Sequence, residues 1–257
     1  MSAFHAETVT AVRHWTDTLF SLTTSRDPAF RFRNGQFVML GLEVDGRPLA
    51  RAYSLAAADY EDHLEFFSIK VADGAFTSRL AAIKPGDQIL VGRKPTGTLV
   101  LDSLSPGRRL LLLSTGTGIA PFLSIIKDPE TYERFEQVEL VHGCRRVSEL
   151  AYGEMIRDEL PAHELVGEVV ARQLTYYPTV TREPVRNRGR VTDLMASGQL
   201  FDDIGQSPLS AETDRIMLCG SPEMILQARE LFAGLGLTEG HNAHPGDFVV
   251  ERAFVKR

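Results

Sequence analysis

The chain has 257 residues, 43% of them hydrophobic and 24% charged, with a formal net charge of −6. That is material for one large or two medium packed domains, and the acidic balance excludes a general binder of nucleic acid or acidic membrane, which needs a basic surface. Two cysteines, Cys144 and Cys219, are too few for an all-cysteine iron–sulfur cluster, and the seven histidines show no metal-ligand spacing. No metal is therefore expected, and any redox chemistry must come from an organic cofactor. The chain holds no apolar run of membrane-spanning length and opens without a basic region followed by an apolar one, so a cytoplasmic protein is expected.

The first hundred residues read as short strands at 8–12, 18–24, 36–42, 50–56, 64–71 and 88–92, rich in β-branched and aromatic residues and often alternating with polar ones. Turn residues separate them at 33–35, 44–46 and 84–87. Such spacing predicts an antiparallel barrel, interrupted by one helix over about 76–83. After a linker at 101–107 the rhythm becomes apolar strands at 110–114, 137–142, 167–172 and 215–219, alternating with helical patterns at 120–127, 148–160, 191–197 and 222–235. Alternation of that kind predicts a parallel sheet with helices on both faces and ligands at the carboxyl ends of its strands. The expected division is residues 1–100 and 101–257, with a site between the two parts.

Four consecutive leucines, 110–113, lead into Ser114, Thr115, Gly116, Thr117 and Gly118 and then a helix start with Pro121. A strand buried on both faces, a glycine turn and a helix opening suit an anionic group, because the turn lets backbone N–H groups approach it. The spacing is G-x-G-x-x-P and differs from the dinucleotide fingerprint, so an ordinary strand–turn–helix connection stays open. In the first half, Arg51 and Tyr53 share one strand face, where a cation and a ring could hold a phosphate and a flavin or ribose, with Ala52 between them and Ser54 next. Gly74, Phe76, Thr77 and Ser78 start the barrel helix and form a second anion candidate, with plain capping by Asp73, Thr77 or Ser78 as the alternative.

Those segments, followed by Cys219, Gly220, Ser221 and Pro222 and by the tail from Val250 through Glu251 to Phe254, occur in the order seen in bacterial ferredoxin/flavodoxin–NADP reductases, and the chain resembles that family over nearly its whole length. The resemblance implies an FAD-binding β-barrel followed by a Rossmann-like α/β domain for NADP. It assigns FAD to Arg51, Ala52, Tyr53 and Ser54, to Phe67, Ser68, Ile69 and Lys70 on the next strand, and to Gly74, Phe76, Thr77 and Ser78. The pyrophosphate of NADP falls to Thr115, Gly116, Thr117 and Gly118, and its 2′-phosphate to Arg145, Arg182 and Arg190, with Arg146 and Arg188 as close alternates. Ser54, Cys219 and Glu251 are the implied catalytic residues, and Ala253 faces the flavin while Phe254 is a candidate for stacking on its adenine. The implied activity exchanges a hydride with NADP(H) and single electrons with ferredoxin or flavodoxin. A monomer is expected, with Lys256, Arg257, Arg33, Arg47 and Lys94 as candidates for docking an acidic partner. An NAD(P)H-dependent oxygenase reductase, a free flavin reductase and a non-catalytic nucleotide sensor are the alternatives on the same scaffold.

Overall fold

The computed structural model describes residues 3–71, 74–241 and 243–253. Six strands, β1 (Phe4–His14), β2 (Leu19–Ser25), β3 (Phe37–Val44), β4 (Arg47–Ser54), β5 (His63–Ile69) and β6 (Gln88–Gly92), form one sheet in the order β4-β3-β6-β1-β2-β5. Every pairing is antiparallel. The sheet curls until its two edges approach: Ala56 N–H donates to the Glu65 carbonyl (2.9 Å), and the Tyr53 and Ser68 hydroxyls lie 2.8 Å apart. Alternate residues Phe20 and Leu22, Val38 and Leu40, Leu64 and Phe66, and Ile89 and Val91 fill the interior. The expected helix over 76–83 is the single turn α1 (Thr77–Leu80); Ala82 and Ile83 continue as tighter i to i+3 turns.

The second half builds a parallel sheet from β7 (Arg109–Thr115), β8 (Gln137–Cys144), β9 (Leu174–Val180), β10 (Asp214–Gly220) and β11 (Phe248–Arg252), in the order β11-β10-β7-β8-β9. The leucine run divides between two cores as a doubly covered strand must. Leu110 and Leu112 face Ile119, Phe122 and Ile126, whereas Leu111 and Leu113 face Val191, Leu194 and Phe232. Helices α2 (Ala120–Ile125), α3 (Pro129–Arg134), α4 (Gly167–Gln173), α5 (Val191–Ala196), α6 (Gln199–Ile204) and α7 (Pro222–Gly234) connect the strands.

Two expected elements differ. Residues 167–172 are the helix α4, because Val166 and Val170 are buried four apart, and the strand is the following β9. Pro178 is accommodated there since β9 is an edge strand. The expected helix over 148–160 is broken: a 3₁₀ turn at Val147–Glu149 is followed by a π-helical turn at Met155–Glu159.

The two sheets are fastened by specific bonds. Gly35 N–H donates to Ser124 Oγ (2.9 Å), Asn34 to Asp128 (2.9 Å), and the Tyr152 hydroxyl to Glu65 (2.8 Å). Gly35 must be glycine: its φ is +91° and a Cβ would lie 1.7 Å from the Leu99 carbonyl oxygen. Among the described residues no helix is long and apolar enough to cross a membrane.

Candidate functional site

The open seam between β4 and β5 gathers most of the barrel residues singled out by sequence. Tyr53 reaches across it to Ser68, its ring tilted against Phe76 at 5.8 Å between centroids, and burial pushes its phenol pKa up. Arg51 shares that face and is exposed. α1 lies over the same seam, with Phe76 and Leu80 in the barrel core, and its N-cap residue, Phe76, offers no capping side chain. Gly74 sits so close to Thr77 Oγ1 that a Cβ would be 2.5 Å away. Strand alternation divides the four residues of β5 and its end: Ser68 faces Tyr53, whereas Phe67 packs edge-on against Tyr152 and Ile69 lies on the core shared with the parallel sheet. Lys70 is past the strand end, its N–H bonded to the Thr18 carbonyl (2.7 Å).

From the far end of β4 a continuous path leads to the second half. Ser54 pairs with Phe37, and Phe37 exchanges both main-chain bonds with Thr96 (2.8 and 3.0 Å). Two residues on, Thr98 N–H donates to Glu251 Oε1 (2.5 Å). Glu251 is paired in register with Cys219, and Ala253 N–H closes onto the Gly220 carbonyl (3.1 Å). Burial raises the Glu251 pKa, against bonds from the Thr98 and Leu99 amides that favour its charged form. Cys219 is 2% exposed, and burial, with Glu251 beside it, keeps the thiol protonated. A thiol so held offers no thiolate nucleophile.

The glycine turn lies against this pair. Its two glycines do different jobs, where sequence suggests positive φ for both. Gly116 has the positive φ, +55°, whereas at Gly118 a Cβ would stand 2.1 Å from the Cys219 carbonyl oxygen. The reverse approach is equally tight: at Gly220 a Cβ would be 2.2 Å from Thr115 Oγ1, which accepts from Ser221 N–H (2.9 Å). The carboxyl ends of β7 and β10 are thus interlocked by the absence of side chains.

Beside the turn stand the arginines. Arg145 follows β8 and is held by Glu149 (2.9 Å); Arg182 follows β9, its N–H donating to the Arg145 carbonyl (2.9 Å). Arg190 starts α5 and pairs with Glu223 on α7 (2.8 Å). Arg145 and Arg182 are joined directly; Arg190 is joined to the group through neither. Of the alternates, Arg146 lies 3.7 Å from Glu183, and Arg188 bridges back to Val180.

Three residues that sequence did not assign to the site adjoin the turn and its arginines. The His142 ring and the Tyr176 hydroxyl meet at 3.3 Å, and the Glu149 carboxylate holds Arg145. No group of three or more metal-ligating side chains is present among the described residues. Phe254, Lys256 and Arg257 lie outside the described residues.

Comparison with known proteins agrees with this layout. A family model described as an oxidoreductase FAD-binding domain matches residues 7–100, and one described as an oxidoreductase NAD-binding domain matches residues 112–230. A curated ferredoxin–NADP reductase from Pseudomonas aeruginosa is 59% identical over 258 residues, covering 100% of both chains. The flavodoxin/ferredoxin–NADP reductase of Rhodobacter capsulatus is 52% identical over 97% of this chain and 93% of its own. A crystal structure of a ferredoxin NADP+ reductase from Neisseria gonorrhoeae with bound FAD and NADP superposes with a TM-score of 0.89 at 31% identity, covering 99% of this chain and 100% of that one. With this identity sustained from end to end, and with an antiparallel and a parallel sheet meeting at one seam, the chain belongs to the ferredoxin–NADP reductase family.

Proposed function

We infer that this protein is an FAD-dependent ferredoxin/flavodoxin–NADP(+) reductase, exchanging a hydride with NADP(H) and single electrons with ferredoxin or flavodoxin. The observation that carries the reading is the convergence of Ser54, Glu251, Cys219 and Gly118 at the place where the two sheets meet. Bound FAD supplies what no side chain here can, a group that takes up two electrons together and releases them singly.

The residues fit such a group. We assign the barrel seam to FAD: Arg51 as the cation for its diphosphate, Tyr53 as an aromatic wall, and Ser54 as a hydroxyl at the reactive edge, with Ala52, Ser68, Gly74, Phe76, Thr77 and Ser78 around them. Phe67, Ile69 and Lys70 take part through main-chain groups, since the first two side chains are spent on packing. The glycine turn, 115–118, receives the pyrophosphate of NADP(H), and Arg145, Arg182 and Arg190 its 2′-phosphate. Cys219 and Gly118, locked together, set the floor on which the nicotinamide rests, and buried Glu251 holds charge or a proton beside it. Ala253, its N–H tied to the Gly220 carbonyl, is assigned to the flavin, and Phe254 is the candidate for the adenine.

We place the domain division at residues 1–100 and 101–257, and take the protein to be a cytoplasmic monomer that meets its protein partner through a local basic patch. Arg33, Arg47, Lys94, Lys256 and Arg257 are the candidates; Arg33 is partly neutralised by Asp102 at 2.6 Å, which leaves more of that role to the others. The direct test is to purify the protein, record a flavin spectrum, add NADPH, and follow electron delivery to a ferredoxin and to ferricyanide. Bound flavin bleached by NADPH, with ferredoxin then reduced, is expected. A colourless protein, or one whose flavin NADPH leaves oxidised, contradicts the reading.

A further inference from the structure

His142 stands on β8 with its ring buried beneath the glycine turn. Nε2 is 3.2 Å from the Gly116 carbonyl oxygen, and Nδ1 is 3.3 Å from the Tyr176 hydroxyl. A carbonyl oxygen can only accept, so the ring proton sits on Nε2 and Nδ1 accepts from Tyr176. The Cys144 sulfur donates its proton to the Glu149 carbonyl at 3.3 Å and, 3.3 Å from Nε2, shares as a second acceptor the ring proton directed at Gly116. Complete burial holds the imidazole neutral, with a pKa lowered to about 4, so this arrangement persists at any ordinary pH.

In a trans peptide the carbonyl of one residue and the N–H of the next point in opposite directions. Fixing the Gly116 oxygen downward on His142 therefore turns the Thr117 N–H upward, to the side where residues 115–117 are partly open to solvent. The Gly116 carbonyl also opens the 3₁₀ turn Gly116–Ile119, and His142 is the side chain that bonds it from below. The same network runs on through Glu149, whose carboxylate holds Arg145.

We propose that His142 is a positioning residue for NADP(H): its bond to the Gly116 carbonyl helps hold the Gly116–Thr117 peptide so that the Thr117 N–H faces the pyrophosphate. The proposal rests on the reading above that this turn receives the pyrophosphate. It predicts a loss confined to ligands that carry that group.

FAD-loaded protein is titrated calorimetrically with NADP+ and with 2′-AMP, which has the 2′-phosphate and no pyrophosphate. His142→Leu should weaken NADP+ by roughly ten-fold, the share of about one neutral hydrogen bond, and leave 2′-AMP and flavin content unchanged. His142→Gln, which restores an N–H donor of similar reach, should recover most of the affinity, and His142→Asn, too short to reach Gly116, should not. If His142→Leu fails to fold, the Gln and Asn variants decide alone, and equal NADP+ affinities in those two overturn the proposal. NADP+ affinity unchanged in His142→Leu, or NADP+ and 2′-AMP weakened alike, also overturns it. Thr117→Glu, which places a negative charge in the turn, separates the two levels. If it binds NADP+ normally, the turn is not the pyrophosphate site; if it loses NADP+ while His142→Leu does not, only the positioning role fails.

Discussion

At the amino ends of β7, β8 and β10 one group of charged side chains, Arg109, Glu139 and Asp214, is buried together. Arg109 donates through Nε to Asp214 (2.9 Å) and through Nη1 to the Ser207 carbonyl (2.9 Å), with Glu139 3.8 Å away; these three side chains are at most 7% exposed. Beyond the carboxyl ends of β8 and β9 the arginines stand in water: Arg145 and Arg190 are 53% and 56% exposed, each held by one glutamate. Exposed pairs of that kind contribute roughly 0–1 kcal/mol, so the arginines can leave Glu149 and Glu223 for an incoming phosphate at little cost. A buried pair has no such freedom, because removing one partner strands the other. One end of the sheet is thus closed on itself and carries stability, and the arginines of the other are free to exchange partners, as the proposed 2′-phosphate role requires.

The largest effect expected from breaking this contrast is at the closed end. Asp214→Ala leaves Arg109 buried without its carboxylate and also frees the Ser210 N–H, which Asp214 accepts at 2.7 Å. It should cost about 3–5 kcal/mol of stability in urea denaturation. NADP+ affinity of the protein that remains folded should not change, since the carboxyl ends of the strands lie at the other edge of the sheet.

A smaller effect comes from Glu139, whose buried oxygens make no hydrogen bond in the structure. Burial raises its pKa to about 7, against the attraction of Arg109. The folded-state pKa lies above the unfolded one, so folding holds a proton that the unfolded chain releases between the two. Stability from this group is present below the unfolded pKa and is lost as pH rises through about 7, on the order of a few kcal/mol in all. Denaturation measured across that range should show the decline, and Glu139→Gln should flatten it. An unchanged pH profile in the variant would place the titrating group elsewhere.

How far the sequence announces each region follows from the range of the interactions. The leucine run and its glycine turn, 110–118, are local, and their strand–turn–helix form follows from them directly. The parallel strand at 174–180 is hidden, because Pro178 argues against a strand and Gly167 with two valines imitates one. Arg51, Tyr53, Thr115 and the three arginines are legible as charged, aromatic or hydroxyl residues next to turns; Arg51 and Tyr53 lie on β4, Thr115 ends β7, Arg145 and Arg182 follow β8 and β9, and Arg190 starts α5. The role of Gly118 is not legible, since Cys219, whose carbonyl its backbone almost touches, is about a hundred residues away along the chain. His142 is hidden for the same reason: its partners Gly116 and Tyr176 are on either side of it in sequence and meet only across the sheet.

The central claim, that the open end of the parallel sheet is built for the 2′-phosphate of NADP(H), is tested most directly by kcat/KM for NADPH and for NADH in the parent and in single and combined alanine variants of Arg145, Arg182 and Arg190. A charge-assisted phosphate contact contributes about 1.5–3 kcal/mol. Each single variant should therefore lose roughly 10- to 150-fold with NADPH while NADH stays nearly constant, and the triple variant should lose most of the preference. Parallel losses with both coenzymes, or a preference for NADPH that survives all three substitutions, would contradict the account.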